Sequence, residues 1–437
     1  MNTSLFNDST QRLLDFIQAS PTPWHAVATA SGLAQAQGFS CLDERESWPE
    51  LSADCGYYLT RGGSSLVAFL PGTDPPSQAG FLIVGAHTDS PGLRLKPKIA
   101  RESGPLLRLG VEVYGSPILA TFTDRDLGLS GRVFLSGAGG VDTRLFHHPD
   151  PLLRLPNLAI HLNRGVNEDG LKLNRQSELP LLFGGTVFVE LLANRLGCEP
   201  HNILSWDLLA HDTQAGTFWG VGQEFIAASQ LDNLSSCHAA LIALLEPGLK
   251  SQTHKSTRVV ALFDHEEIGS ETPAGAKGSL LPDVLERISI GLGDNRSGYK
   301  QALARSCLVS ADAAHAYHPN FASSYEPDHT LKVNGGPAIK INANRRYATD
   351  GYSAALFMQA CERAGVPHQT FVQRSDLGCG TTIGPITAAR LGISTVDVGS
   401  PIWAMHSIRE SGGAQDPVYL SRALHAFFCN TTKNNEE

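Results

Sequence analysis

A chain of 437 residues is longer than a single core usually grows, so two units, or one unit with a large insertion, are expected. Its 42% hydrophobic and 18% charged residues exclude a disordered chain, and a net charge of -9 argues against nucleic acid or anionic membrane as partners. The eight cysteines form no Cys-x-x-Cys pair, which excludes zinc-ribbon and thioredoxin-like motifs and reads as reduced, mostly packed thiols.

In chain order, the opening "MNTSLFNDSTQRLLDFIQAS" lacks a basic segment followed by an apolar one. Its Leu13, Leu14, Phe16 and Ile17 sit at helical spacing until "SPTPW" stops the pattern. No apolar run approaches the ~18 residues of a membrane span, so no membrane partner and a cytoplasmic location are expected. "FLIVGAH" reads as a short buried strand ending at His87, with Asp89 just beyond. From about Gly92 to about Ala228 the pattern changes. There "LLRLGVEVYG", "SGRVFLSG" and "NLAIHLNR" read as strands, and only "GGTVFVELLANRLG" as a helix. A β-rich unit over residues 93–228 is expected, inserted between 1–92 and 229–437.

After the insertion, "SQLDNLSSCHAALIALLE" is a helix with Asp232 at its start, where Asn233 or a serine would cap it. "RVVALFDHEE" is a buried strand running into Asp264, His265, Glu266 and Glu267. "SCLVSADAAH" delivers Asp312 and His315, and "GISTVDVGS" precedes His406. "DGYSAALFMQACERAG" and "YLSRALHAFFCN" are helical, and the tail "NTTKNNEE" is polar. This alternation predicts an α/β fold: a mostly parallel sheet flanked by helices.

In open α/β sheets the ligand crevice lies beyond the carboxyl ends of the strands. Singly, each His or carboxylate there reads as a cap or a surface group. Four strand ends and one helix start supplying them together point to a metal site. Adjacent buried carboxylates such as Glu266 and Glu267 are costly unless something cationic holds them. Imidazoles and carboxylates without thiolate suit zinc, cobalt or manganese, and a bridging carboxylate points to two ions. Competing motifs fail. Gly-x-Ser-x-Gly is absent; His265-Glu266 begins His-Glu-x-x-His, but position 269 is glycine. "GCGTTIGP" lacks the Walker lysine and reads as a turn before a helix. A non-catalytic metal-binding scaffold would need the ligands but no base.

The segments "SPTPWHAV", "GAHTDSPGLRLKP", "VEVYG", "DRDLGLSGRV", "LAIHLNR", "SQLDNLSSCHA", "DHEEIGS", "SADAAHAYHPN", "NGGPAIKINANRRYAT", "RSDLGCGTTIGPITA" and "WAMHSIRE" span residues 20 to 410. Together they closely resemble the aspartyl aminopeptidase family of dinuclear zinc metallopeptidases. The resemblance implies a zinc-peptidase-like unit with an inserted dimerisation domain, and two zinc ions per subunit, cobalt or manganese being possible. His87, Asp232 and Asp312 would hold one ion; Asp232, Glu267 and His406 would hold the other, with Asp232 bridging. Glu266 would be the general base, and Asp89 would orient His87. His315, Lys340 and Tyr347 would line the substrate site, Lys340 countering an acidic side chain. His161 would bind substrate across a subunit boundary or ligate metal, and both readings stay open. The implied activity is removal of an N-terminal, acidic residue from a peptide with a free N-terminus, by a homo-oligomer of dimers, a dodecamer. A related dinuclear carboxypeptidase or N-deacylase is the alternative. One departure stands out: Thr123 occupies the place of an aromatic before Asp124-Arg125-Asp126, and the stretch upstream is "GSPILA".

Overall fold

Four apolar runs lie side by side at the centre of a nine-stranded sheet in the computed structural model, which describes residues 3–103, 106–184, 187–246, 249 and 254–429. From edge to edge the strands are Phe39–Cys41, Gly56–Arg61, Ser65–Leu70, Thr257–Phe263, Phe81–His87, Cys307–Ala311, Ser394–Gly399, Ala338–Ile341 and Gln369–Val372. Thr257–Phe263, Phe81–His87, Cys307–Ala311 and Ser394–Gly399 run parallel to one another, so their carboxyl ends open on one edge. Antiparallel pairs occur at Ser65–Leu70 and at Ala338–Ile341.

Why these runs are continuously apolar follows from the pleat. Leu82, Val84 and Ala86 face one core; Phe81 and Ile83 face the other. Helices Thr3–Gln18, Leu231–Leu245, Gly351–Ala364 and Asp416–Phe428 cover the first face. Leu280–Gly291, Arg296–Ala304 and Ile383–Leu391 cover the second. A sheet buried on both sides has no solvent face on which polar residues could alternate. Among the described residues, no helix is long and apolar enough to cross a membrane.

Strands Gly92–Ser103, Leu106–Tyr114, Leu127–Gly137, Gly140–Arg154, Leu181–Phe183 and Ile203–Asp212 close into a barrel. It has its own core, which includes Leu93, Leu109, Leu129 and Leu208. A third sheet joins Thr217–Trp219, Phe225–Ala228, Glu410–Gly413, Pro401–Trp403 and Ala314–His315. Residues 217–228 therefore pair with the C-terminal part of the chain rather than with the barrel.

Two local expectations differ from the structure. "NLAIHLNR" (157–164) is an irregular loop and turn, not a strand, with Leu158 59%, Ile160 48% and Leu162 73% exposed. Its apolar alternation finds no neighbouring strand among the described residues. Neither Asn233 nor a serine caps the helix Leu231–Leu245; Asn233 Nδ2 instead donates to the Ala311 carbonyl at 2.8 Å. The helix "GGTVFVELLANRLG" runs over Phe188–Leu196, and the tail at 430–437 lies outside the described residues.

Candidate metal centre

The register of the parallel strands decides which side chains meet. Phe263 is the Cα partner of His87, so the chain leaving each strand arrives on the same side. Thr88 N–H donates to the Phe263 carbonyl at 2.7 Å, and Asp312 N–H donates to the Val398 carbonyl at 2.8 Å. A Cβ on Gly399 would collide with the Asp312 carbonyl, so only glycine lets these two strand ends approach so closely.

Around this edge two triplets share one residue. His87, Asp232 and Asp312 offer donor atoms within 4.8 Å of one another, and so do Asp232, Glu267 and His406. His87 Nε2 lies 3.4 Å from Asp232 Oδ1 and 3.5 Å from Asp312 Oδ1. His406 Nε2 lies 3.5 Å from Asp232 Oδ2 and 3.3 Å from Glu267 Oε1. Each oxygen of Asp232 thus faces a different triplet. A third grouping, His87 with Glu266 and Glu267, meets the same distance limit.

The electrostatics are those of anions short of a cation. Burial lifts the Glu266 carboxyl to about 8, with repulsion from Asp312, Glu267 and Asp89 added and the His87 charge opposing. Burial lifts Glu267 to about 7 against its contact with His406. Burial disfavours the His406 cation, yet Asp232 and Glu267 hold it charged up to about 11. His87 is pushed well above the usual range in the same way, by Asp232, Asp312 and Asp89 against burial. Burial opposes ionisation of Asp232, but the two imidazoles keep it far below the usual carboxylate range.

The residues fit a metal. Asp232 Oδ1 is buried with no hydrogen bond and only the His87 ring 3.4 Å away, an arrangement that is costly unless a cation completes it. The donor set of imidazole and carboxylate matches zinc. Asp89 supports it from behind: its backbone carbonyl lies 2.9 Å from His87 Nδ1, and its carboxylate accepts the Glu266 and Glu267 N–H groups, each at 3.1 Å.

The remaining expected residues divide. Lys340, His315 and Tyr347 gather on the Asp312 side. Lys340 is 2% exposed, its Nζ donating to the Ala313 carbonyl at 3.0 Å and lying 3.5 Å from Asp312 Oδ2. Tyr347 presents its ring 5.1 Å from that ammonium, and both Tyr347 and His315 pack against Phe371. Burial, with Lys340 nearby, holds His315 below its usual pKa. His161 stands apart on the exposed loop. Among the described residues no hydrogen bond, ion pair or metal-ligand grouping links it to the cluster.

Sequence reasoning missed two residues. Tyr114, from the barrel, donates its hydroxyl to Asp89 Oδ2 at 2.7 Å. Glu410 accepts the backbone N–H groups of both Asp232 and His406. An acceptor of distant backbone amides leaves no periodicity in a sequence; the only signal for Glu410 was its place in "WAMHSIRE".

A family model described as aminopeptidase I zinc metalloprotease (M18) matches residues 16–428. A probable M18 family aminopeptidase 2 from Azotobacter vinelandii is 46% identical over 429 residues, covering 96% of this chain and 97% of its own. Among solved structures, a chain from the cryo-EM structure of the Ape4 and Nbr1 complex superposes with a TM-score of 0.93 at 37% identity, over 98% of this chain and 87% of that one. The S. cerevisiae mApe1 dodecamer follows with 0.86 at 29% identity, over 97% of each chain. The chain therefore belongs to the M18 family and is a zinc metallo-aminopeptidase.

Proposed function

We propose that this aminopeptidase works with two cations and Glu266 as general base, and prefers acidic N-terminal residues on peptides with a free amino group. The observation that carries the reading is the sharing of Asp232 between two triplets, one oxygen to each. In this reading His87, Asp232 and Asp312 hold one ion, and Asp232, Glu267 and His406 hold the other. Zinc is the family metal, and cobalt or manganese suits the same donors.

Bound there, two such ions would supply Lewis acidity and a water that ionises near neutral pH. Glu266 would take a proton from the attacking water and return it to the leaving amine. Its backbone is fixed by Asp89, while no hydrogen bond or ion pair among the described residues engages its carboxylate. Asp89 and Tyr114 hold His87 and the Glu266–Glu267 turn in place. His315, Lys340 and Tyr347 form the wall met by the first side chain, and the Lys340 ammonium is the cation that favours Asp or Glu there.

The wider reading is a homo-oligomer. Residues 1–92 and 229–437, with the strands of 217–228 that pair onto them, make the catalytic unit, and the rest of the insertion at 93–228 makes dimers. Exposed Leu158, Ile160 and Leu162 flank His161, and an apolar loop of that kind favours burial against a second copy. In that arrangement His161 serves the site of the neighbouring subunit, binding substrate rather than metal. Likeness to the yeast mApe1 dodecamer supports the same assembly here, and eight free thiols suit the reducing cytoplasm.

Profiling with free, N-blocked and C-blocked peptides tests the reading. Release of the first residue from free and C-blocked peptides, fastest for Asp and Glu, is expected. Cleavage of N-acyl groups, or from the C-terminus, would favour a deacylase or a carboxypeptidase instead.

A further inference from the structure

Most of the cluster is held by contacts already described. Asp89 fixes His87, Glu266 and Glu267, while Lys340 and the Val398 carbonyl fix Asp312. Asp232 and His406 remain: the Ser116 carbonyl, 3.0 Å from His406 Nδ1, orients that ring, and the His406 carbonyl accepts the Ile118 N–H at 2.9 Å, but neither residue's backbone N–H is fixed by its own secondary structure. Asp232 has non-helical backbone angles at the start of Leu231–Leu245. His406 and Ala404 both have left-handed φ values, 67° and 55°, which non-glycine residues adopt only when their surroundings impose it.

A single side chain meets both backbones. Glu410 Oε2 accepts the Asp232 N–H at 2.9 Å, and its Oε1 accepts the His406 N–H at 2.7 Å. Glu410 is 2% exposed and stands on a rigid strand, opposite Ala228 in the ladder. The Asp232 carbonyl is fixed separately, by the Ser90 hydroxyl at 2.7 Å, but Ser90 does not reach His406. Glu410 alone among the described residues bonds to both backbones.

We infer that Glu410 is a positioning residue: by clamping these two amides it sets the spacing of Asp232 and His406, and thereby the affinity for the cation held between Asp232, Glu267 and His406. This rests on the two-cation reading above. A carboxylate is needed because both partners are donors. Glutamine has one acceptor oxygen, and its amide nitrogen would turn a donor toward the second N–H.

The test is Glu410→Gln, with Glu410→Asp beside it. Supporting tissue behind metal ligands typically contributes 10–100-fold in affinity. Chelator competition with zinc, and cobalt absorption spectra, should show one of the two ions bound about 10–100-fold more weakly in Glu410→Gln. Glu410→Asp, which keeps two acceptor oxygens on a shorter arm, should fall between that variant and the wild type. Activity of Glu410→Gln should recover in excess metal, and its metal-free form should unfold within a few degrees of wild type. Two ions bound at wild-type affinity would overturn the inference. So would a loss of stability equal with and without metal, if the folded fraction bound both ions normally. A wild-type chain that takes up a single ion would contradict the two-cation reading itself, whatever Glu410 does.

Discussion

At the scale of single residues, the adjacent acids Glu266 and Glu267 are given different work by geometry. Both amides are held by the two oxygens of Asp89, yet only the Glu267 carboxylate reaches His406. The pair therefore predicts two distinct phenotypes. Glu266→Gln should lose about 10²–10⁴-fold in turnover, the usual share of a general base, with its metal content unchanged. Glu267→Gln should lose an ion. Metal analysis beside steady-state rates checks this, and loss of an ion from Glu266→Gln would make Glu266 a ligand, as the His87–Glu266–Glu267 grouping allows. Lys340 makes a second prediction. Its ammonium lies beside Asp312 and the Tyr347 ring, in the wall proposed to meet the first side chain, so Lys340→Ala should erase the preference for Asp and Glu over neutral residues. Aminoacyl substrate panels report it; an unchanged preference would leave Lys340 only a support for Asp312.

At the scale of elements, the helix Pro23–Ala36 meets the barrel through three imidazoles. His25 lies 5.7 Å from His147, which lies 5.5 Å from His211, ring centre to ring centre. Thr22 and Ser130 hydroxyls engage His25 and His147 at Nδ1, each at 2.7 Å. Burial holds His25 and His211 at about 4, helped by repulsion within the trio, and lowers His147 as well, where Arg195 and His148 add to the effect. In the unfolded chain these groups titrate near 6.5, so the folded state binds fewer protons. Their contribution to stability is full above pH 6.5 and is lost as pH falls toward 4. At pH 5 the loss is on the order of 1–2 kcal/mol for each strongly shifted histidine. Wild type should lose more stability between pH 7 and pH 5 than His211→Leu in thermal unfolding of the metal-free chain; equal losses would contradict it.

The four central strands were legible because burial on both faces demands unbroken apolar runs, three of them closed by an ionisable residue at His87, Asp264 or Asp312. "NLAIHLNR" misled for a physical reason. Alternating Leu158, Ile160 and Leu162 record an apolar face, and such a pattern does not say whether the surface that covers it belongs to a strand of the same chain. Ligand-type residues announced themselves by chemistry at strand ends. Glu410 and Tyr114 did not, since their partners are backbone amides and a carboxylate brought near only by the fold.

At the scale of the whole molecule, the proposed assembly and the proposed chemistry depend on each other. If His161 serves a neighbouring subunit, activity per chain should fall when the oligomer is diluted below its dissociation point. His161→Ala should then lower the rate of the intact oligomer without changing its metal content. Light scattering with parallel rate measurements checks both; full activity in an isolated protomer would contradict the shared site.

Two cations held by one chain through a shared Asp232 would set a stoichiometry that can be counted. Titrating the chelated protein with zinc, while following release of an N-terminal aspartate, tests it most directly. No turnover is expected without metal, and full activity only when two ions are bound per chain. Maximal activity at one ion per chain, or turnover that survives complete chelation, would contradict it.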